Sequence, residues 1–458
     1  FIIMKFLENQ AIFTATKIMR QALYTELNAN ILSYDIAPTP SQAQLFTKAN
    51  FNENSTAGNK LLLYAHIPFC DTFCPFCSFH KYAYDAQIAL SYFKSLRKQL
   101  RAIKDAGFSF DSMYIGGGTT LINENELEKT LILARDLFDL KEISCESDPN
   151  HLDNLERFKG LITRLSIGVQ SFDDDILRRV SRLEKFGDSK TLITKIQKAI
   201  DVLPILSLDL IFNFPSQNKE MLLRDIQTAK MLNPQQITFY PLMKSSLTKD
   251  KIAASLGVEI KDNEREFYEL ICALMQEYSA NNAWSFARKD KISSTQDENF
   301  NHKMKDEYCA DHTQYIGAGS GAFSFINGRL YINAFDLNEY CERVNSGRSA
   351  VIAINDFSKR ARMLYLFLTK IFSGSLNLDE FINLYSVNER ELGLLLRALK
   401  ICGAITQNGQ KIELSKFGRY LIVVLMKEFY IGMDRVRAVF KAGLKPNIKR
   451  LKIMSESL

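Results

Sequence analysis

The sequence lacks any run of about 20 consecutive apolar residues, the length that a membrane-spanning helix requires. Its N-terminal apolar run is too short for a signal peptide, and no cleavage-like site follows it. The net charge of +6 is a mild excess that does not by itself indicate nucleic acid as a partner. We therefore expect a cytoplasmic protein with no membrane span, and we do not expect nucleic acid as its partner.

Cysteines are few and unevenly placed. Eight cysteines in 458 residues do not form the dense framework of a small secreted disulfide protein. Three of them, Cys70, Cys74 and Cys77, lie within a single short segment, whereas the other five are scattered along the chain. In a reducing compartment, such a local group of thiols indicates a metal or cluster site rather than disulfides.

Between residues 61 and 242, short strand-like runs alternate with longer stretches of helical periodicity. The strand-like runs cover residues 61–67, 112–117, 142–147, 164–170, 205–212 and 236–242. This alternation predicts an α/β fold with parallel strands and right-handed crossovers, either an open doubly wound sheet or a full or partial barrel. Glu146, Gln170 and Asp209 stand near the carboxyl ends of three of these strands. Because barrels build their sites from those ends, we favour a partial barrel with one open side.

The chain outside the predicted barrel falls into further regions. The predicted division is an N-terminal helical segment (1–55), the core barrel (56–245), a barrel extension with substrate-side loops (246–350) and a C-terminal helical, winged-helix-like domain (351–458). In the last region, three short helices precede a hairpin whose predicted two-residue turn is Asn408–Gly409. We expect the basic stretch 441–452 to end in solvent.

The segment FCDTFCPFC places three thiols directly after the first predicted strand. Three thiolates bind three irons of a [4Fe-4S] cluster and leave the fourth iron open, whereas a cluster used only for electron transfer normally has four protein ligands. A structural zinc site is the alternative, because His80 follows Cys77 by three residues and could complete a Cys3His set. Zinc loops more often carry two C-x2-C pairs, and no second pair is found here.

A glycine triplet, Gly116 to Gly118, follows the second predicted strand and precedes Thr119. Such a triplet alone usually marks a turn. Beside a cysteine loop, however, residues without side chains allow backbone groups to approach the amino and carboxylate ends of a bound amino acid. The two motifs on neighbouring strands are therefore more specific together than either is alone.

These motifs resemble those of a known family. The segments YAHIPFCDTFCPFC, YIGGGTT, ESDPN, RLSIGVQSFDDDIL, LDLIFNFPSQ and ITFYPL occur in the order found in radical S-adenosyl-L-methionine (SAM) proteins of the oxygen-independent coproporphyrinogen III oxidase-like group. That group includes HemN, the heme chaperone HemW and the heme-degrading ChuW/HutW proteins. The resemblance extends from about Leu61 to Leu242. It implies a partial (β/α)6 barrel, a [4Fe-4S] cluster on the three cysteines, and SAM as cofactor.

The resemblance also implies roles for residues outside the cysteine loop. Those implied to contact the cluster-bound SAM are Tyr64, Gly117 and Glu146. Those implied to line a second SAM or the adjoining substrate space are Phe76, Gly118, Thr119, Gln170, Arg182 and Asp209. Considered without the resemblance, the carboxylates are better interpreted as helix caps, the arginine as a surface residue and the aromatic residues as part of the core.

The activity implied by the resemblance is that of a radical SAM oxidoreductase. Such an enzyme splits SAM to a 5′-deoxyadenosyl radical that acts on a tetrapyrrole in porphyrin or heme metabolism, with electrons from a flavodoxin- or ferredoxin-like donor. The coproporphyrinogen oxidases carry a further cysteine where this chain has Phe79. Two alternatives therefore stay open: a ChuW/HutW-like heme-degrading methyltransferase and a HemW-like non-enzymatic heme chaperone.

Overall fold

The computed structural model describes residues 2–29, 31–33, 61–258, 261–289, 314–385, 387 and 389–441. The strands, in chain order, are β1 (Ile31–Ser33), β2 (Leu62–Ile67), β3 (Phe69–Cys70), β4 (Tyr82–Ala83), β5 (Ser112–Gly117), β6 (Glu142–Ser147), β7 (Arg164–Gln170), β8 (Ile205–Phe212), β9 (Gln236–Pro241), β10 (Tyr278–Ala280), β11 (Ser285–Arg288), β12 (Tyr315–Ala318), β13 (Phe323–Ile326), β14 (Arg329–Asn333), β15 (Val351–Asp356), β16 (Ser375–Asn377), β17 (Ile405–Asn408) and β18 (Lys411–Leu414).

The helices are numbered in the same way. They are α1 (Ile2–Ala29), α2 (Ala86–Asp105), α3 (Glu124–Phe138), α4 (Asp174–Arg179), α5 (Leu183–Phe186), α6 (Ser189–Ala199), α7 (Lys219–Leu232), α8 (Lys249–Leu256), α9 (Glu264–Leu274), α10 (Leu337–Asn345), α11 (Lys359–Ile371), α12 (Leu378–Tyr385), α13 (Glu389–Ile401) and α14 (Lys416–Lys441). Within the described ranges, no helix is both long and apolar enough to cross a membrane.

Six parallel strands form the centre of a 13-stranded sheet, in the order β2, β5, β6, β7, β8 and β9. They coincide with the six predicted strand-like runs to within one residue. Their residues are mostly buried, and all six residues of β2 are, because the connecting helices cover the sheet. The predicted α/β fold with a partial parallel barrel is confirmed.

The ends of the crossover helices follow their local sequence. The Asp85 side chain accepts hydrogen bonds from the backbone N–H groups of Gln87 and Ile88, which caps the start of α2. After α2, Gly107 takes a φ of +88°, a left-handed conformation that favours glycine. Asn123 caps α3 in the same way as Asp85, by accepting from the backbone N–H of Glu126. Local sequence thus accounts for the start of both helices and for the end of α2.

Further strands extend both edges of the parallel sheet. Strand β12 pairs in parallel with β2, and β13, β14, β15 and β1 follow it in antiparallel order. On the other edge, β11 and β10 are added to β9. The glycine-rich run 314–325 thus contributes to strands β12 and β13. Strand β15 lies beyond the boundary predicted at residue 350 and still belongs to this sheet.

The C-terminal region contains the three predicted short helices, α11 to α13, and a small sheet in the order β16, β18, β17. The predicted hairpin is present, but its turn lies one residue later than expected. Asn408 pairs with Lys411, so the two loop residues are Gly409 and Gln410. Gly409 at the first loop position has a φ of +57°, which glycine adopts without strain.

Helix α14 has no counterpart in the sequence predictions. Its apolar run LIVVLM covers more than one face, so no single helical stripe stands out in the sequence. The helix is held by Lys427, whose ammonium lies 2.6 Å from Glu264 of α9, and by Glu428, which pairs with Arg20 of α1 at 2.6 Å. This docking directs the C-terminal end of α14 toward the carboxyl ends of the parallel strands.

Lys441, the last residue of α14, is the first residue of the predicted basic stretch and the one residue of that stretch that the structure describes. Its ammonium donates to the backbone carbonyls of Ser78 and Phe79, at 3.3 and 3.0 Å, in the segment that follows the third cysteine. Burial and the nearby Lys81 lower the pKa of Lys441 to about 8. The rest of the predicted stretch lies outside the described residues.

Candidate functional site

A cavity of about 280 Å³ lies at the carboxyl ends of the parallel strands. Every residue that the sequence analysis assigned to a cluster, cofactor or substrate lines this cavity. These residues are Tyr64, Cys70, Cys74, Phe76, Cys77, Gly117, Gly118, Thr119, Glu146, Gln170, Arg182 and Asp209. Parallel strands share one direction, so residues near their carboxyl ends meet in the same cavity. Here those residues come from β2, β5, β6, β7 and β8.

The cysteine loop is anchored by a short parallel pair of strands, β3 and β4, which ends at Cys70. The Cys70 carbonyl accepts a hydrogen bond from the Tyr84 N–H at 3.1 Å, and the Cys77 N–H donates to the Cys74 carbonyl at 3.2 Å. Burial raises the pKa of the Cys70 thiol to about 11. A thiol in this setting needs a strong Lewis acid such as iron to lose its proton, which fits a cluster ligand.

The donor set of the loop consists of three thiols, the ligands that iron–sulfur clusters take. Within the described part of the chain, no three His, Cys, Asp or Glu side chains converge closely enough to hold one ion. Cluster thiolates attach to different irons and do not need to meet at one point. His80, the fourth ligand of the zinc alternative, is buried, and its Nε2 lies 3.1 Å from the Ser320 hydroxyl. These contacts do not support the zinc alternative.

The glycine triplet lies against the strand that carries the first cysteine. Gly118 N–H donates to the Ile67 carbonyl and Thr119 N–H to the Phe69 carbonyl, both at 2.7 Å. A Cβ on Gly118 would collide with the Phe69 carbonyl oxygen. Gly117 has a φ of +118°, and a Cβ there would lie 2.5 Å from the His66 ring. The close approach of the triplet to His66 and Phe69 therefore requires glycine at positions 117 and 118.

Glu146 faces the same glycine segment. Its carboxylate accepts hydrogen bonds from the Tyr114 hydroxyl at 2.7 Å and from the Gly117 N–H at 3.2 Å. A Cβ on Gly116 would lie 2.9 Å from this carboxylate. Glu146 therefore does not cap a helix; it forms an acidic cradle with the glycine backbone, next to the cysteine loop. Such a cradle can accept hydrogen bonds from an ammonium group or from ribose hydroxyls.

The three residues predicted farther along the sheet also hold specific positions. The Asp209 carboxylate accepts from the Ser166 hydroxyl at 2.6 Å. Gln170 lies at a bulge of β7 with a φ of +74°, a strained value for a residue with a side chain. Arg182 is buried; it donates to the Gly168 carbonyl and, at 3.3 Å, to the Cys74 sulfur. The interpretation of Arg182 as a surface residue is therefore wrong.

Two groups of cavity residues were missed by the sequence analysis. In the first, Asp148 accepts from Thr119 at 3.0 Å and from Lys185 at 3.1 Å, and His151 lies 2.7 Å away. Burial opposes ionisation, but His151 and Lys185 hold the pKa of the Asp148 carboxyl well below its usual range. The second group, on α14, is Tyr430, Asp434 and Arg437. The ESDPN motif could have indicated Asp148, whereas α14 gave no local signal.

Tyr64 is held by a buried hydrogen-bonded chain. Its hydroxyl lies 2.8 Å from His66 Nδ1, and His66 Nε2 lies 2.8 Å from the His80 carbonyl. Burial lowers the pKa of His66 to about 4, so the ring is neutral near pH 7. His66 therefore orients the Tyr64 side chain within the cavity.

The hydrogen-bonded histidine His66 predicts that the free energy of unfolding decreases measurably in acid. Because the pKa of His66 is lowered from 6.5 to about 4 on folding, the unfolded chain binds a proton more readily than the folded one. The contribution of neutral His66 to the free energy of unfolding is therefore complete above pH 6.5 and is lost as the pH falls toward 4. The loss is about 3 kcal/mol at most. We expect His66→Gln, which keeps hydrogen-bonding groups but does not titrate, to remove that part of the pH dependence.

The measurement is denaturant unfolding at a series of pH values, followed by fluorescence of Trp284, which is the sole tryptophan and fully buried. Other groups, such as Asp148, also titrate in acid, so the informative quantity is the difference between the two proteins. Identical pH dependence in the unmodified chain and in His66→Gln would contradict the prediction.

The sequence of this chain is similar to one protein family model and to curated proteins of two kinds. Residues 64–229 match the Radical SAM superfamily model. The heme chaperone HemW of Bacillus subtilis is 28% identical over 296 residues, which cover 61% of this chain and 75% of that protein. The oxygen-independent coproporphyrinogen III oxidase of Salmonella typhimurium is 28% identical over 310 residues, which cover 64% of this chain and 67% of that protein.

A solved structure supports the same fold. The coproporphyrinogen III oxidase HemN of Escherichia coli superimposes with a TM-score of 0.67, at 21% identity, over 87% of this chain and 94% of that one. At this level of identity the match concerns the fold alone. With 87% of the chain covered, the match extends well beyond the barrel.

Proposed function

The chain belongs to the radical SAM superfamily, in the group that contains HemN and HemW, and we propose that it is an enzyme that cleaves SAM and acts on a tetrapyrrole. The observation that carries the proposal is the meeting of three thiols with the Glu146–glycine cradle in one cavity. A thiol set for a cluster with an open iron and an acidic cradle for an amino acid or nucleoside are together what SAM chemistry requires.

The residues of this chain divide the work of holding the two cofactors. Cys70, Cys74 and Cys77 would hold the [4Fe-4S] cluster, and the Gly117 backbone with Glu146 would hold SAM. When bound, the reduced cluster and SAM supply an oxidising 5′-deoxyadenosyl radical. Arg182 contacts the Cys74 sulfur, and its N–H donor at 3.3 Å stabilises the negative charge of a thiolate at this position.

Part of the cavity wall is apolar, which would limit the contact of a reactive species with water. Aromatic side chains from several elements line it, among them Phe76, Phe186, Tyr240 and Phe323, and α14 contributes Tyr430. Phe76 also packs against Phe214, with ring centroids 6.2 Å apart. Apolar walls of this kind limit side reactions with solvent.

The tetrapyrrole assignment is supported by what the relatives are named for. A coproporphyrinogen III oxidase and a heme chaperone both handle tetrapyrroles, and each aligns with more than half of this chain. The mild basic excess and the cationic residues Arg182, Lys185 and Arg437 in the cavity suit a substrate with carboxylates. A flavodoxin- or ferredoxin-like protein is the proposed electron donor.

The test is an anaerobic assay of the reconstituted protein with SAM and a chemical reductant. We expect 5′-deoxyadenosine to form, and its rate to rise when coproporphyrinogen III or heme is added. Decarboxylated porphyrin would identify an oxidase, and an opened macrocycle would identify a heme-degrading enzyme. If no tetrapyrrole changes the rate or is itself altered, the proposed activity is wrong.

Glu146→Gln should weaken SAM binding without unfolding the site. Its amide keeps the size of the carboxylate but loses the negative charge that would pair with the SAM ammonium or ribose hydroxyls. A hydrogen bond to a charged group is worth about 1.5–3 kcal/mol, so the Kd for SAM should rise about tenfold or more. Equilibrium dialysis with SAM measures it. Glu128→Gln on α3, whose carboxylate pairs with Arg157, is the control; equal Kd values for both variants would contradict the role.

A second candidate is a heme carrier with little turnover. It is favoured by the B. subtilis heme chaperone, whose similarity covers 75% of that protein. A carrier should take up one heme per chain, and its slow SAM cleavage should be independent of added substrate. An oxidase or heme-degrading enzyme should instead form 5′-deoxyadenosine in step with the tetrapyrrole that it consumes.

A further inference from the structure

The last turns of α14 present one polar face to the cavity. Tyr430, Asp434 and Arg437 all line it, and their spacing of four and then three residues places them on one side of the helix. The helix thus forms a cavity wall that is separate in the chain from the cysteine loop and the strand ends. What this wall can recognise depends on the chemistry of these side chains.

Arg437 is the cation that α14 adds to the cavity. Its residue is only 8% exposed, and its Nη1 donates to the Asp434 carboxylate at 2.6 Å. The guanidinium lies 5.4 Å from the Phe79 ring centroid and 5.6 Å from that of Phe323. A buried, always charged guanidinium near two aromatic rings is suited to bind a carboxylate carried by a flat, apolar molecule.

The other cations of the cavity have contacts on the cluster side. Arg182 donates to the Cys74 sulfur, and its guanidinium lies 4.3 Å from the Phe186 ring centroid. Lys185 pairs with Asp148 at 3.1 Å. Arg437 nevertheless interacts electrostatically with the Tyr64 side chain. Burial and Glu146 raise the pKa of Tyr64, whereas the positive charge of Arg437 opposes that rise. Arg437 therefore lies within electrostatic range of the residues assigned to SAM.

We propose that Arg437 binds a carboxylate of the substrate, with Asp434 as a positioning residue that holds the guanidinium in place before the substrate arrives. This inference rests on the proposed function, because it takes the substrate to be a tetrapyrrole with propionate side chains. In this proposal the C-terminal domain recognises the substrate carboxylate, and the barrel holds the cofactors. Bidentate pairing with a carboxylate orients a planar ligand as well as holding it.

The test compares the binding of coproporphyrin III with that of its methyl ester, which has the same ring but no charge. Binding is followed by quenching of Trp284 fluorescence in the reconstituted protein without SAM turnover. The double variant Asp434→Asn/Arg437→Gln removes both charges of this ion pair together. We expect it to weaken binding of the acid about 30-fold or more and to leave binding of the ester unchanged. Arg348→Gln, at an exposed ion pair with Glu342, is the control.

Single variants separate recognition from a structural role. In Asp434→Asn the amide oxygen can still accept the hydrogen bond that positions the guanidinium, but the competing negative charge is gone, so the acid should bind as tightly as before or more tightly. Arg437→Lys keeps the charge without the planar fork and should give intermediate affinity. The inference is overturned if the double variant discriminates acid from ester as the unmodified protein does, or if Asp434→Asn weakens acid and ester equally. If the unmodified protein binds neither porphyrin, the tetrapyrrole assignment itself fails, and this inference fails with it.

Discussion

Cys74→Ala is expected to abolish the cluster and, with it, the cleavage of SAM. Cys74 lies between the two other thiols of the loop, and loss of one of three thiolates leaves two, too few to hold a cubane that already has one open iron. Iron and sulfide bound after anaerobic reconstitution should fall from about four of each per chain to near zero. Formation of 5′-deoxyadenosine should become undetectable. Iron and sulfide analysis, with chromatography of the SAM products, measures both effects.

Cys402→Ala is the matched control for that experiment. Cys402 is also a free, partly buried cysteine, but it follows α13 in the C-terminal domain and its thiol contacts the Leu399 carbonyl at 3.3 Å. Its replacement should leave iron, sulfide and SAM cleavage unchanged. A Cys74→Ala protein that keeps its full brown colour would show that the cluster is not held as assigned here.

Gly118→Ala is expected to impair both the cluster and SAM binding, although it adds one methyl group. The new Cβ would meet the Phe69 carbonyl, which is backbone and is itself held by a hydrogen bond from Thr119. Relief requires the glycine segment to move away from the strand that ends at Cys70. Overpacking of this kind costs about 1–3 kcal/mol, so SAM affinity should fall about tenfold or more. Equilibrium dialysis with SAM and iron analysis measure the two effects.

Gly393→Ala tests whether that loss comes from the collision or from glycine replacement in general. Gly393 lies in α13, and a Cβ at this position would have no neighbouring atom within 4 Å. Alanine is the better helix former there, and stability should rise by up to about 1 kcal/mol with SAM binding unchanged. If Gly118→Ala binds SAM and iron as well as Gly393→Ala does, the close approach at the triplet has no functional role.

The parallel core and the cluster loop were predictable from the sequence because their signals are local. Parallel strands buried on both faces appear as short apolar runs, and all six such runs became strands. A common strand direction then places Glu146, Gln170 and Asp209 at one end of the sheet, where the structure has them. Three thiols within one loop must share a neighbourhood, whatever the rest of the fold.

Features that depend on distant contacts were not predictable. Helix α14 reaches the cavity because Lys427 docks on Glu264 of α9, more than 150 residues earlier in the chain. Nothing local in the sequence of α14 reveals that contact, so Arg437 was missed. Strands β12 to β15 join the sheet through pairing with β2 and with one another, which short, glycine-rich runs do not reveal.

The open iron is tested most directly by electron paramagnetic resonance of the reduced, reconstituted protein before and after SAM is added. Coordination of SAM to an iron without a protein ligand should change the signal of the [4Fe-4S] cluster, and Glu146→Gln should require more SAM for the same change. A cluster signal that SAM does not alter, or a colourless protein that binds zinc in place of iron and sulfide, would contradict the assignment of the three cysteines.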